Sequence, residues 1–246
     1  MIDLSLMDKK TLAKAFDYSV LPKDSQEAAI RKGCAITRQY GFAAFCFSSA
    51  WWTPIVVEEL RDFPEILIGA AISFPWGVQS PYIKAKETEE AIQLGATTLD
   101  MCMNVGALKD RHLEVIREEF RLFKEACHGY ESKVILETCF LTDEEIALSC
   151  NLITEAGIDF AKTSSGQYEG PTLEQVLLML DTVKGTKTKV KVAGVKFPRP
   201  QNAYVFLMAG VDRIGTRDAP AILESLDLMR KIGIVPPLRA PVSSPA

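Results

Sequence analysis

The chain has 246 residues, 48% of them hydrophobic, and 28 basic against 32 acidic side chains leave a net charge of −4. That is enough apolar material for the core of one large domain or two small ones, and the evenly mixed charge speaks against a general nucleic-acid or anionic-membrane binder. Met1 to Lys10 is too charged for a secretory signal and no run is long enough for a membrane span, so the expected location is the cytoplasm.

Taken in order, short apolar runs alternate with helical patterns. Ala15–Tyr18 reads as a strand, and Asp24 or Ser25 is placed to cap a helix over Gln26–Gln39 that stops at Gly41. Ala43–Phe47 is a second strand, and Pro54 suits the first turn of a helix reaching Arg61. Ile66–Ile72 is a third strand, followed by a helix over Tyr82–Leu94 that ends at Gly95. Thr98–Cys102 is a fourth, and a long helix is predicted over Asp110–Cys127. Val134–Thr138 is a fifth, with a capping box from Thr142 to Glu145 opening the helix that ends at Gly157. The short apolar run around Lys162, within Asp159–Gly166, is a sixth, before a helix from Pro171 to Val183. Lys189–Ala193 and Asp212–Gly215 complete the strands, with helices over Pro200–Ala209 and Ala219–Lys231.

Eight apolar strands separated by helices argue for parallel pairing with both faces covered. A single (β/α)8 TIM barrel over residues 1–235 fits best, with an open doubly wound sheet as the alternative. The Pro- and Ser-rich tail, 236–246, is expected to be disordered.

The six cysteines are scattered, without CxxC spacing, and read as small core hydrophobes in a reducing compartment. His112 and His128 are expected at the surface. Neither set suggests a metal site.

In a barrel, charged groups at the C-terminal ends of strands read as catalytic. Asp17, Asp100, Glu137, Lys162 and Lys191 occupy such positions, although a set of ion pairs fixing the barrel would look the same. Lys162 alone could be a strand-end lysine reaching for solvent. Lys162 and Lys191 on consecutive strands are more telling. Neighbouring strands lie about 4.8 Å apart, and a second buried cation at that range favours one neutral amine, the nucleophile of Schiff-base chemistry. Asp100 would then shuttle protons. Ser164-Ser165-Gly166, Gly194 and Gly215-Thr216 follow strands six to eight, where barrels commonly bind phosphate.

These segments resemble deoxyribose-phosphate aldolases. Phe160–Gly166 is similar to that family's F-V-K-T-S-T-G, Leu99–Leu108 to I-D-M-V-I-N-I-G-A-L, and Ile135–Asp143 to I-I-E-T-C-L-L-T-D. Gly41–Cys46 and Phe74–Gly77 match in the expected order, so the resemblance covers nearly the whole chain. It implies a class I aldolase on a (β/α)8 barrel, needing no metal or cofactor, that reversibly cleaves 2-deoxyribose 5-phosphate to acetaldehyde and glyceraldehyde 3-phosphate. The lysine matching Lys162 would form the imine, the one matching Lys191 would favour its neutral amine, and the aspartate matching Asp100 would relay protons. Asp17, Cys46, Glu137, Thr163, Ser164, Gly166, Gly194, Gly215, Thr216 and Arg217 are the expected substrate-binding residues, with Cys46 a pocket wall rather than a nucleophile.

The sequence departs from the family pattern where phosphate would bind. K-A-S-G-G-I-R-T becomes Lys191-Val192-Ala193-Gly194-Val195-Lys196-Phe197-Pro198, and G-T-S-S becomes Gly215-Thr216-Arg217-Asp218. An aldolase of the same mechanism for an unphosphorylated substrate is therefore a second reading. A sugar-phosphate-binding barrel without catalysis and a base-catalysed isomerase stand behind it. The expected partners are a small aldehyde and a sugar phosphate, with no nucleic acid or membrane, and a homo-oligomer remains open. Trp51 and Trp52 offer an interface or a pocket lid.

Overall fold

Every apolar run becomes a strand in the computed structural model, which describes residues 2–194 and 200–239. The strands are β1 (Phe16–Val20), β2 (Ala44–Phe47), β3 (Leu67–Ile72), β4 (Thr98–Cys102), β5 (Glu131–Ile135), β6 (Phe160–Lys162), β7 (Lys189–Val192) and β8 (Arg213–Thr216). They follow one another around a closed parallel barrel, with β8 pairing β1 so that Asp17 faces Gly215. Closure rules out the open sheet.

Outside the strands lie α1 (Lys9–Ala13), α2 (Glu27–Tyr40), α3 (Thr53–Leu60), α4 (Pro81–Gln93), α5 (Val105–Lys109), α6 (Leu113–Ala126), α7 (Asp143–Glu155), α8 (Leu173–Thr182), α9 (Pro200–Ala209), α10 (Ala219–Glu224) and α11 (Leu226–Lys231). Outward strand residues such as Phe45, Leu99, Val134 and Val190 bury against the inner faces of these helices. None of the described helices is long and apolar enough to cross a membrane.

Local chemistry explains the helix ends. Thr142 Oγ1 accepts from the Glu145 amide and Glu145 Oε2 accepts from the Thr142 amide, which is the predicted capping box. α2 stops where Gly41 turns left-handed at φ 66°. Its start differs from expectation: Gln26 is the N-cap and makes no side-chain hydrogen bond, so neither Asp24 nor Ser25 caps it.

One predicted helix shortens and another divides. Asp110–Cys127 shortens to α6 behind the separate α5, because Arg111 turns left-handed at φ 58°. Ala219–Lys231 breaks at Ser225 into α10 and α11. The fifth strand is displaced. β5 begins at Glu131 and ends at Ile135, Glu137 is left-handed (φ 57°, ψ 64°), and Thr138–Phe140 is a 3-10 turn. Both histidines are exposed. In the tail, the Arg239 amide donates to the Ser5 carbonyl at 2.7 Å; residues 240–246 lie outside the described residues.

Register places the site. Asp100 faces Lys133 across β4–β5, Lys162 faces Lys191 across β6–β7, and Lys191 faces Arg213 across β7–β8. Side chains alternate along a strand, so Thr98 and Asp100, Glu131 and Lys133, and Phe160 and Lys162 point into the barrel together.

Candidate active site

The C-terminal ends of the strands open into a cavity of about 400 Å³. Its floor holds Lys162, Asp100, Lys191 and Asp17, all buried. Lys162 Nζ donates to Asp100 Oδ2 at 2.6 Å, and Lys191 Nζ donates to the same oxygen at 2.8 Å. The two lysine side chains therefore meet through a shared carboxylate. Lys191 also pairs with Asp17 Oδ2 at 2.7 Å, and Arg213 reaches Asp17 Oδ1 at 2.6 Å.

Burial alone would raise the Asp100 carboxyl, but the cations of Lys162, Lys191 and Lys133 outweigh it and hold the group well below the usual carboxylate range. Asp17 is likewise held low against burial by Lys191 and Arg213. Burial opposes the charge of Lys191, yet Asp100 and Asp17 hold its ammonium above the usual lysine range. In the free protein Asp100 is thus an ionised acceptor and Lys191 a fixed cation.

Cys46 also lines the cavity, with its thiol pushed up to about 11 by burial despite the nearby Lys191, so it stands there as a neutral wall. β3 can pass close to it only because residue 69 is glycine. A Cβ there would lie 2.6 Å from Cys46 Sγ.

Towards the mouth, Gly166, Gly194, Gly215, Thr216 and Arg217 join the wall, together with Ser165, Gln167 and Asp218. Gly194 has φ 75°, and a Cβ on it would come within 2.7 Å of Ser164 Cβ, so the β6 and β7 exit loops touch where both are thinnest. Arg217 is largely exposed, and its Nε lies 3.8 Å from Asp218 Oδ2. Of the altered loop after β7, Val195–Pro198, with Lys196, lies outside the described residues.

Three expected binding residues lie off the cavity wall. Thr163 is buried, and its hydroxyl links to the backbone of Ala193 at 3.1 Å. Ser164 is buried beside Gly194 without a hydrogen-bond partner for its hydroxyl. Glu137 turns away: its carboxylate accepts from the Ser165 amide at 3.0 Å and borders a smaller cavity beside Trp76, Phe140 and Tyr168. Burial raises the Glu137 carboxyl, partly offset by the Ser165 contact. The left-handed backbone at Glu137 produces this orientation, and an apolar strand pattern gives no sign of it.

Lys133, Glu131 and Arg213 are additions that sequence reasoning passed over. Lys133 Nζ lies 3.3 Å from Asp100 Oδ1 and 2.6 Å from Glu131 Oε1, and bonds Thr98 Oγ1. Arg213 reaches Glu131 at 3.7 Å. The available signal was the alternation Glu131-Ser132-Lys133, in step with Lys189-Val190-Lys191 two strands on.

Trp51 is 77% exposed in the turn that leads into α3, Trp52 packs on the core, and neither lines the cavity.

A closed barrel whose mouth gathers buried amines around an ionised carboxylate has the groups that lysine chemistry on a carbonyl compound would need. Comparison with known proteins agrees. Residues 9–199 match the family described as DeoC/LacD family aldolase. The chain is 39% identical to the deoxyribose-phosphate aldolase of Streptococcus sanguinis over 87% of its own length and 96% of that protein. It is 38% identical to the Geobacillus enzyme of the same name, over 88% and 96%. The deoxyribose phosphate aldolase of Aeropyrum pernix, described as having a unique tetrameric structure, superposes with a TM-score of 0.80 at 26% identity, over 89% of this chain and 92% of that one. The chain belongs to the DeoC/LacD aldolase family, and is a carbon–carbon lyase.

Proposed function

We propose that the protein reversibly cleaves 2-deoxyribose 5-phosphate to acetaldehyde and glyceraldehyde 3-phosphate through an imine on Lys162. The observation that carries this reading is the sharing of Asp100 Oδ2 by Lys162 and Lys191 on the cavity floor. The names of the 34–39% identical relatives support the substrate.

The neutral Lys162 amine adds to the aldehyde carbon of the open-chain sugar, and loss of water leaves a protonated imine. A proton leaves the C3 hydroxyl, the C2–C3 bond breaks, and its electron pair moves into the imine to form an enamine. Glyceraldehyde 3-phosphate departs. Protonation of the enamine carbon and hydrolysis then release acetaldehyde and restore the amine. Asp100, ionised and 2.6 Å from Lys162, is the base through which these protons pass. Lys191 stays cationic and opposes a second positive charge beside it. The backbone around Gly166 and Gly194, with Arg217 at the rim, faces the phosphate end.

Self-association belongs to the same reading. Exposed Trp51, Trp76, Val78 and Tyr82 offer apolar surface, and the Aeropyrum relative is described as tetrameric. Light scattering should then give a mass above the 27.2 kDa of one chain.

The decisive experiment is borohydride reduction in the presence of acetaldehyde, followed by peptide mass mapping. The expected adduct is on Lys162 and disappears in Lys162→Ala. No adduct, or one on Lys191, would overturn the assignment.

A further inference from the structure

The ion pairs below Lys162 form a closed circuit. Asp100 Oδ2 contacts Lys191 at 2.8 Å, Lys191 contacts Asp17 at 2.7 Å, and Asp17 contacts Arg213 at 2.6 Å. Arg213 contacts Glu131 at 3.7 Å, Glu131 contacts Lys133 at 2.6 Å, and Lys133 returns to Asp100 Oδ1 at 3.3 Å. Three anions alternate with three cations, so the ring balances without Lys162. Phe160 plugs it from below, with Lys133 Nζ and the Arg213 guanidinium each 5.6 Å from the ring centroid.

Lys162 is the seventh charge and the odd one. It pairs with one carboxylate, Asp100, both of whose oxygens already face a ring lysine. Each ring cation has two carboxylates. The charge-balanced state of the floor is therefore the one in which Lys162 carries no charge.

We propose that Lys133 and Glu131 are positioning residues for the aldol reaction: with Arg213 they close a neutral ring that sets the Lys133 charge against Asp100 Oδ1, leaves Oδ2 to Lys162 and Lys191 and makes Lys162 the surplus base. The inference rests on the Schiff-base reading above. Lys133 touches no substrate, since it lies beneath the cavity floor, fully buried.

The groups facing this ring are Asp17 from β1, Cys46 from β2, Thr98 and Asp100 from β4, Glu131 and Lys133 from β5, Lys162 from β6, Lys191 from β7 and Arg213 from β8; β3 contributes the uncharged Gly69 and Ala71. The Cys46 thiol is neutral in the working range. Lys189, farther down β7, is exposed and lies outside the circuit.

Two substitutions push the balance in opposite directions. Lys133→Met leaves three anions facing Lys191, Arg213 and Lys162, so balance now requires a charged Lys162. The acid limb of the kcat/KM profile should move to higher pH by about one unit. Glu131→Gln leaves two anions for four cations, and the limb should move to lower pH by a smaller step. The double variant should return it towards the wild-type position.

The test is the pH profile of deoxyribose 5-phosphate cleavage by full-length protein, alongside the borohydride adduct with acetaldehyde. Opposite displacements with the adduct still on Lys162 support the ring. Displacements of the same sign, or none, with the adduct intact overturn the ring and leave the Schiff base standing. No adduct in the wild type overturns the reading beneath it. A scaffold role alone would lower stability in both single variants without separating their limbs. Should Lys133→Met fail to fold, Glu131→Gln and the double variant decide by the same criterion.

Discussion

Among the described residues, lysine is buried against carboxylate in two places, and they behave oppositely. Between α4 and α6, Lys84 and Glu119 form a lone pair with fully buried side chains, Nζ to Oε2 at 2.6 Å. There burial wins: it lowers Lys84 and raises Glu119, against the attraction between them. On the barrel floor burial loses. Asp17 and Asp100 are held low and Lys133 and Lys191 high, because each has at least two opposite charges. One neighbour does not replace the lost water, whereas two do. The lone pair is a brace: Lys84 donates to the Cys102 carbonyl at 2.8 Å, and Glu119 accepts from the Asn104 amide at 3.1 Å, just beyond Asp100. The ring holds its charges, and chemistry needs charges held.

Asp100→Asn breaks the comparison at its strongest point. It removes the anion common to Lys133, Lys162 and Lys191, and leaves uncompensated buried cations. Cleavage should fall by about 10²-fold or more, and stability by about 3 kcal/mol, read from steady-state kinetics and thermal melting. A loss under tenfold with a normal fold would make Asp100 a structural anchor and nothing more.

Lys191→Leu comes next. Lys191 is cationic throughout the working range, so the variant lacks one positive charge at every pH of interest. Three cations then face three anions, and the floor balances with Lys162 charged. The acid limb of activity should move to higher pH by about one unit, with a roughly tenfold loss at neutral pH. A limb that stays in place would remove Lys191 from the electrostatics of the nucleophile.

How much of this was legible differs between barrel and ring. The strands showed because strands covered on both faces carry long apolar runs, and Lys162, Lys191 and Asp100 stood out as charges inside such runs. The ring hid for the converse reason. At the foot of β5 the inner face carries charge, so Glu131-Ser132-Lys133 reads as a loop, and the strand was expected three residues late, at Val134–Thr138. That shift placed Glu137 in a strand, whereas its left-handed turn aims the carboxylate at the Ser165 amide. Arg213 fell within its predicted strand but points at partners on β1 and β5, which only barrel closure brings near. Periodicity finds faces covered by oil. It misreads a face covered by ions.

The smallest expected effect tests the lone pair. Burial pushes the Glu119 carboxyl up, and Gln keeps an acceptor oxygen there without the charge, so Glu119→Gln should cost about 1 kcal/mol. That corresponds to a few degrees in melting temperature, with cleavage within about twofold of wild type. The sign with pH is sharper. A carboxyl raised in the folded state binds more protons folded than unfolded, so its stabilising contribution is complete below the unfolded value and is lost as pH rises through the folded one. The amide has no such titration, and Lys84 without its anion gives up its proton sooner, which favours the variant further as pH rises. The stability gap between wild type and Glu119→Gln should therefore narrow from pH 4 to pH 8 in paired melts. A gap that widens would mean that a single buried partner is enough to hold both charges, and the contrast with the ring would collapse.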